Sequence, residues 1–216
     1  MNINITNARK ALIYTLFLNL VLVFSAWAGP GDVKNSQELK QYISTSMNQL
    51  LLKLETHKLD YKNDSALFYR DLNIELSKVI DFKRIALKVM GKHGRTATKA
   101  QSAQFISVFK SSLYKTYAQV LLDNNEVEID VINATLNPRN IKKAKVNIEI
   151  KSARGLVFDV SYSLHKGKDQ IYRIENIVVM GINLGLAFKD RFQQQVKVNK
   201  GDINAVIDNW RFDDAV

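Results

Sequence analysis

The sequence predicts an α+β fold, an antiparallel sheet of four or more strands packed against helices from both ends of the chain. Three observations carry this. Apolar residues recur every three or four places through the first half, alternate singly from about residue 126 to 180, and return to helical spacing afterwards. Ala153-Arg154-Gly155 and Lys166-Gly167-Lys168-Asp169 have the make-up of hairpin connections, so the second, third and fourth strands form a meander. No low-complexity linker or internal repeat separates the segments, and residues 29–216 are expected to form one domain.

After Asn35-Ser36, the stripe Leu39, Ile43, Met47, Leu50, Leu51 and Leu54 predicts a first amphipathic helix. Asp64-Ser65 caps a second, with Phe68, Leu72, Leu76 and Val79 on its dry face. Asp81 caps a third carrying Phe82, Ile85, Ala86 and Val89, which Gly91 and Gly94 end. Thr98 stands three residues before Gln101 in a capping-box arrangement and opens the longest helix, to about Leu122. Phe105, Val108, Phe109, Leu113, Tyr117, Val120 and Leu121 are its apolar residues.

The period then changes to two. Val127, Ile129 and Val131 alternate with Glu126, Glu128 and Asp130, and Val146, Ile148 and Ile150 alternate with Lys145, Asn147, Glu149 and Lys151. A third strand sets Phe158, Val160, Tyr162 and Leu164 against Asp159, Ser161 and Ser163. The fourth, about Gln170 to Met180, ends in Ile177-Val178-Val179-Met180, apolar at every position, as in a strand that is central or covered at one end. Gly181 stops it, a helix runs from about Leu184 to Val198, and Asp202 caps a last short helix through Trp210.

Ahead of all this, Arg9 and Lys10, the apolar run Ala11 to Phe24, and Ala26-Trp27-Ala28 make an export signal, with residues 1–28 removed after Ala28 and a periplasmic destination. The apolar run falls short of the roughly 18 to 20 residues that span a bilayer. The chain has no cysteine, which excludes a lipid-anchored cysteine, a disulfide framework and a thiol nucleophile. Its formal charge is +10, with the basic residues spread along the chain and no module interleaving them with aromatics for base stacking, so nucleic acid is not expected. An anionic lipid surface is the better partner for such a balance, and a merely soluble basic surface explains it equally.

Catalytic patterns are missing. His57, His93 and His165 have no metal-ligand spacing, and no G-x-S-x-G elbow or phosphate-cradling glycine loop occurs, so neither an enzyme nor a metal or cofactor site is expected. His165-Lys166-Gly167-Lys168-Asp169 has the letters of a phospholipase D motif but puts Gly167 where its lysine belongs. The acidic pairs Asp123 with Glu126 and Asp213 with Asp214 stand at helix or chain ends, where solvation is the default. What remains is apolar surface, which either packs solid or encloses a cavity.

Asp81-Phe82-Lys83-Arg84-Ile85-Ala86-Leu87-Lys88-Val89-Met90-Gly91, then Ala97-Thr98-Lys99-Ala100-Gln101, then Phe105 to Phe109 and Leu113 to Tyr117, resemble the MlaC family of ABC-transporter auxiliary proteins linked to toluene tolerance. Tyr162, Val179 to Leu184, Phe188 to Phe192 and Gly201 to Ile207 continue the match, which covers nearly all of residues 36–210. Gly94, Tyr172, Asn176 and Lys189 depart from the family pattern. The resemblance implies a periplasmic phospholipid carrier, a monomer, that maintains outer-membrane lipid asymmetry. Its partners would be an outer-membrane lipoprotein–porin complex and an inner-membrane MCE-domain ABC transporter, and its lipid tails would lie between sheet and helices. Ile85, Val89, Phe105, Phe109, Leu113 and Phe188 from the helices, with Val146, Ile148, Phe158, Val160, Tyr162 and Val179 from the sheet, are the expected lipid-binding residues. Two alternatives stay open: a secreted interaction module with a solid core, and a carrier of another apolar lipid such as a hopanoid.

Overall fold

A computed structural model describes residues 33–56, 63–123, 127–152 and 155–211. The expected export segment 1–28 lies outside the described residues, as do His57, Glu126, Ala153-Arg154 and Asp213-Asp214. Helices α1 (Ser36–Thr56), α2 (Ser65–Val79), α3 (Phe82–Met90), α4 (His93–Thr96) and α5 (Lys99–Asp123) precede strands β1 (Val127–Leu136), β2 (Lys143–Ser152), β3 (Val157–Lys166), β4 (Tyr172–Val179) and β5 (Ile182–Asn183). Helices α6 (Leu184–Val198) and α7 (Ile203–Asp208) follow. The strands pair antiparallel in sequence order, as an α+β meander requires.

The caps read from sequence are made by the atoms expected of them. Asp64 Oδ1 accepts from Leu67 N at 3.0 Å and Asp81 Oδ1 from Arg84 N at 2.9 Å, each satisfying a first-turn amide. Thr98 and Gln101 cap reciprocally, Thr98 N donating to Gln101 Oε1 at 2.9 Å and Gln101 N to Thr98 Oγ1 at 3.1 Å. Asp202 Oδ1 accepts from Asn204 N and Ala205 N. Gly91 ends α3 at φ 58°, a left-handed conformation that costs glycine little. Gly94, expected to share that task, instead lies within the short α4, because Gly91 alone satisfies the turn.

Two details of the sheet add to the expectation of four or more strands. A two-residue fifth strand, Ile182–Asn183, folds back on Val178 and Val179. The all-apolar run therefore has a neighbour on both sides only at its end, and Met180, beyond the last pair, is 60% exposed in a turn at φ 50°.

The apolar residues gather into three groups. α1 lies over the sheet, where Leu39 and Ile43 pack on Val131, Ala134, Val146, Ile148, Val160 and Leu164. A Lys40 Nζ hydrogen bond to Ile132 O, 3.0 Å, holds it where the β1–β2 register slips. α3, α5, α6 and α7 form a second core around Phe105, Phe109, Phe192 and Trp210, whose rings meet at 4.8 to 6.4 Å, with Phe105 edge to face on Phe192 and Trp210. Phe68, Leu72, Phe82 and Tyr114 join α2, α3 and α5 in a third.

Candidate functional site

The helices and the sheet do not close on one another everywhere. Between them is a cavity of about 410 Å³, within the roughly 300 to 1,000 Å³ usual for ligand pockets. Strand register builds one wall. Ile150 pairs with Phe158, Val160 with Val179, and Tyr162 with Ile177, so six apolar side chains line one face of β2, β3 and β4. The facing wall is helical: Leu72 and Leu76 of α2, Phe82 and Ile85 of α3, Phe109, Leu113 and Tyr114 of α5, and Leu184 and Phe188 of α6.

One short connection sets the distance between the walls. Ile80 bridges Ile174 of β4, and Asp81 N donates to Ile174 O at 3.0 Å before its carboxylate caps α3. At the neighbouring position the β3–β4 register slips: Ser163 pairs with Asn176 and Leu164 with Ile174, leaving Glu175 as the extra residue of a bulge. The bulged Glu175 is only 6% exposed and takes Arg84 Nε and, at 2.9 Å, Lys88 Nζ of α3. Gly185 lets α6 start close against the same strand, since a Cβ there would fall on the side-chain oxygen of Asn176.

Burial by itself would raise the Glu175 carboxyl, but the hydrogen bonds from Lys88 and Arg84 outweigh it and hold the group below its ordinary 4.5. A depressed carboxylate stabilises the fold above its unfolded pKa, and the contribution is lost as pH falls through the folded value. Wild type should therefore exceed Glu175→Gln by about 1–3 kcal/mol near neutral pH. The gap should be flat down to about pH 5 and shrink below it. Denaturant melts of both proteins from pH 3 to 7 measure this, and a pH-independent gap would remove the charge from the account.

The cavity's few polar groups are uncharged. Burial pushes the Tyr162 phenol up to about 12, and it raises that of Tyr114 against a hydrogen bond with Ser77, so both stay protonated. Asn176 adds an amide. Among the described residues no three His, Asp or Glu converge as a metal site, and no helix is long and apolar enough to cross a membrane. His93 lies against Phe192, and His165 is on β3.

Of the residues singled out from sequence, Ile85, Phe109, Leu113, Phe158, Val160, Tyr162, Val179 and Phe188 meet on the cavity wall. Four do not. Phe105 is fully buried behind the wall among Phe109, Phe192 and Trp210. Val146 and Ile148 share the sheet face of Val160, but α1 covers that part with Leu39 and Ile43. Val89 packs in the α3–α5–α6 core and touches a second recess instead. Sequence reasoning missed Ile150, which belongs to an alternation already noted, Ile177, which opens the all-apolar run of β4, and the α2 wall of Leu72 and Leu76, whose stripe gave no sign of which neighbour it faced.

This fold and site define a class: an α+β protein that keeps a ligand-sized apolar cavity between an antiparallel sheet and a layer of helices. Within it, the chain belongs to the MlaC protein family, whose model matches residues 44–212. It is 32% identical over 169 residues to the toluene tolerance protein ttg2D of Pseudomonas putida, spanning 78% of this chain and 77% of that protein. Its fold is similar to that of a phospholipid-binding protein from Ralstonia solanacearum solved in complex with a phospholipid, with a TM-score of 0.70 and 18% identity over 78% of this chain and 92% of the other.

Proposed function

We propose that the protein is a periplasmic phospholipid carrier whose cavity holds acyl chains. The observation that carries this is the 410 Å³ space walled by aliphatic and aromatic side chains, in a fold shared with a protein solved with phospholipid bound. Membership of the MlaC family and likeness to a toluene tolerance protein support the same reading. Two acyl chains contain on the order of 30 methylenes at roughly 0.8 kcal/mol each, so a lipid crosses water too slowly unless a dry container travels with it.

Bilayer and cavity both bury the tails, so transfer between them is nearly balanced and no chemical step by this chain is needed. Direction comes from the partners: an outer-membrane lipoprotein–porin complex on one side, an MCE-domain ABC transporter on the other. The exchange maintains outer-membrane lipid asymmetry. Export with cleavage after Ala28 puts the carrier, as a monomer, between the two membranes.

Solvent extraction of purified protein followed by mass spectrometry is the direct test. The expected result is phospholipid approaching one molecule per chain. Protein free of lipid, and unable to take it from vesicles, would leave a solid interaction module; a hopanoid in its place would change the cargo.

A further inference from the structure

Basic residues that are spread along the chain are gathered by the fold at one end of the sheet. Arg139, Lys142 and Lys143 belong to the β1–β2 connection and the start of β2, while Lys166, Lys168 and Arg173 flank the β3–β4 connection. Strand pairing sets the two hairpins side by side: Lys143 pairs with His165, His165 with Arg173, and Lys166 N donates to Lys142 O at 2.7 Å. Two carboxylates stand nearby, and both are engaged. Asp169 takes Arg173 at 2.8 Å, and Glu38, two residues after the Ser36 that meets Leu136 N, turns back on Lys34 N and Asn35. Arg139, Lys142, Lys143 and Lys168 are exposed and enter no ion pair among the described residues.

Acidic residues collect at the other end. On the sheet face turned away from the cavity, Asp130, Glu149 and Asp159 stand opposite one another across β1, β2 and β3, with Glu128 opposite Lys151 in the next row. The positive field is therefore local to the hairpin end, which a uniformly basic surface would not give. Among its cations is an aliphatic side chain, Ile141, 69% exposed. The Ile141 carbonyl accepts the hydroxyl of the buried Tyr172, which fixes the backbone at the tip while the side chain stays in water.

Cations ringing an exposed isoleucine are satisfied together where negative charge lies within a few ångströms of hydrocarbon. An anionic bilayer supplies both, with phosphates outermost and acyl chains beneath. An acidic protein surface supplies the charge but needs a pocket for the isoleucine as well. The patch is also separate from the cavity. On β3 the cavity lining ends at Tyr162, and Leu164, next on that face, packs with Tyr172 in the core under α1.

We propose that this hairpin end is a docking surface for an anionic bilayer, its cations on the headgroup phosphates and Ile141 at the acyl boundary, with the cavity left free. The exported protein, purified, is mixed with vesicles of phosphatidylcholine alone or with phosphatidylglycerol added, and the bound fraction is read by sedimentation. Wild type should bind the anionic vesicles much the more tightly. Lys142→Ala with Lys168→Ala should weaken that binding roughly thirtyfold, the effect of two cations near such a surface. Ile141→Ser should weaken it roughly tenfold with the charge unchanged.

A thermal melt of each variant confirms that it is folded, and extracted lipid per chain should match wild type. Equal binding to both vesicles, or a double lysine variant that binds like wild type, would overturn the docking surface and leave the carrier reading standing. Weakened binding in the lysine variant with none in Ile141→Ser would overturn the bilayer as occupant and point to an acidic protein. Protein that carries no lipid, yet binds anionic vesicles and loses that binding in both variants, would support the docking surface and overturn the carrier.

Discussion

Phe105→Ala is expected to lower the unfolding free energy by about 3–5 kcal/mol, the range for deleting a fully buried aromatic ring. Phe105 is 0% exposed, and its ring meets Phe192 at 4.8 Å, Trp210 at 5.2 Å and Phe109 at 5.8 Å. Removing it strips contacts from α5, α6 and the segment after α7 together, and helices clamped by neighbours cannot collapse into the gap. The melting temperature should fall on the order of 10 °C. Lipid bound per folded molecule should change little, because Phe105 stands behind the cavity wall. Calorimetry with lipid counting on the same samples checks both halves. A near-normal melt with lost lipid would move Phe105 back to the wall, where its helical spacing from Phe109 and Leu113 had suggested it belonged.

Leu113→Trp should do the reverse. Leu113 lines the open space and only abuts the packed cores on either side of it. A larger ring there can turn into the cavity, so bound lipid should fall several-fold while stability stays within about 1 kcal/mol of wild type. In a solid interior the same change overpacks and costs roughly 1–3 kcal/mol or more. Lipid extraction and a melting curve on one preparation separate the outcomes. A variant that melts far lower yet keeps its lipid would show that Leu113 is core.

The two substitutions lie two helical turns apart on α5, and the contrast marks how far the residue pattern reaches. Phe105, Phe109 and Leu113 share one apolar stripe, and all three face inward. Periodicity reports that orientation because it follows from 3.6 residues per turn. It says nothing of what lies opposite, and opposite Phe105 stand Phe192 and Trp210 while opposite Leu113 stands empty space. The sheet repeats the lesson. Val146, Ile148 and Ile150 alternate alike, yet the first two lie under α1 and only Ile150 reaches the cavity.

Glu175 was illegible for a different reason. Within a strand it reads as one more solvent-facing charge, and only the bulge, a departure from period two made by pairing with β3, turns it toward Arg84 and Lys88.

The sequence by itself determined the order and type of the elements other than the short α4 and β5, the capping atoms of α2, α3, α5 and α7, the dry face of the sheet and the family, since each depends on residues close in the chain or on their joint order. Only the tertiary structure decided which part of that face stays uncovered. A cavity is a distance between elements, and that distance is set by contacts far apart in sequence: the Ile80–Ile174 bridge, the Glu175 clamp and the close approach of Gly185 to Asn176.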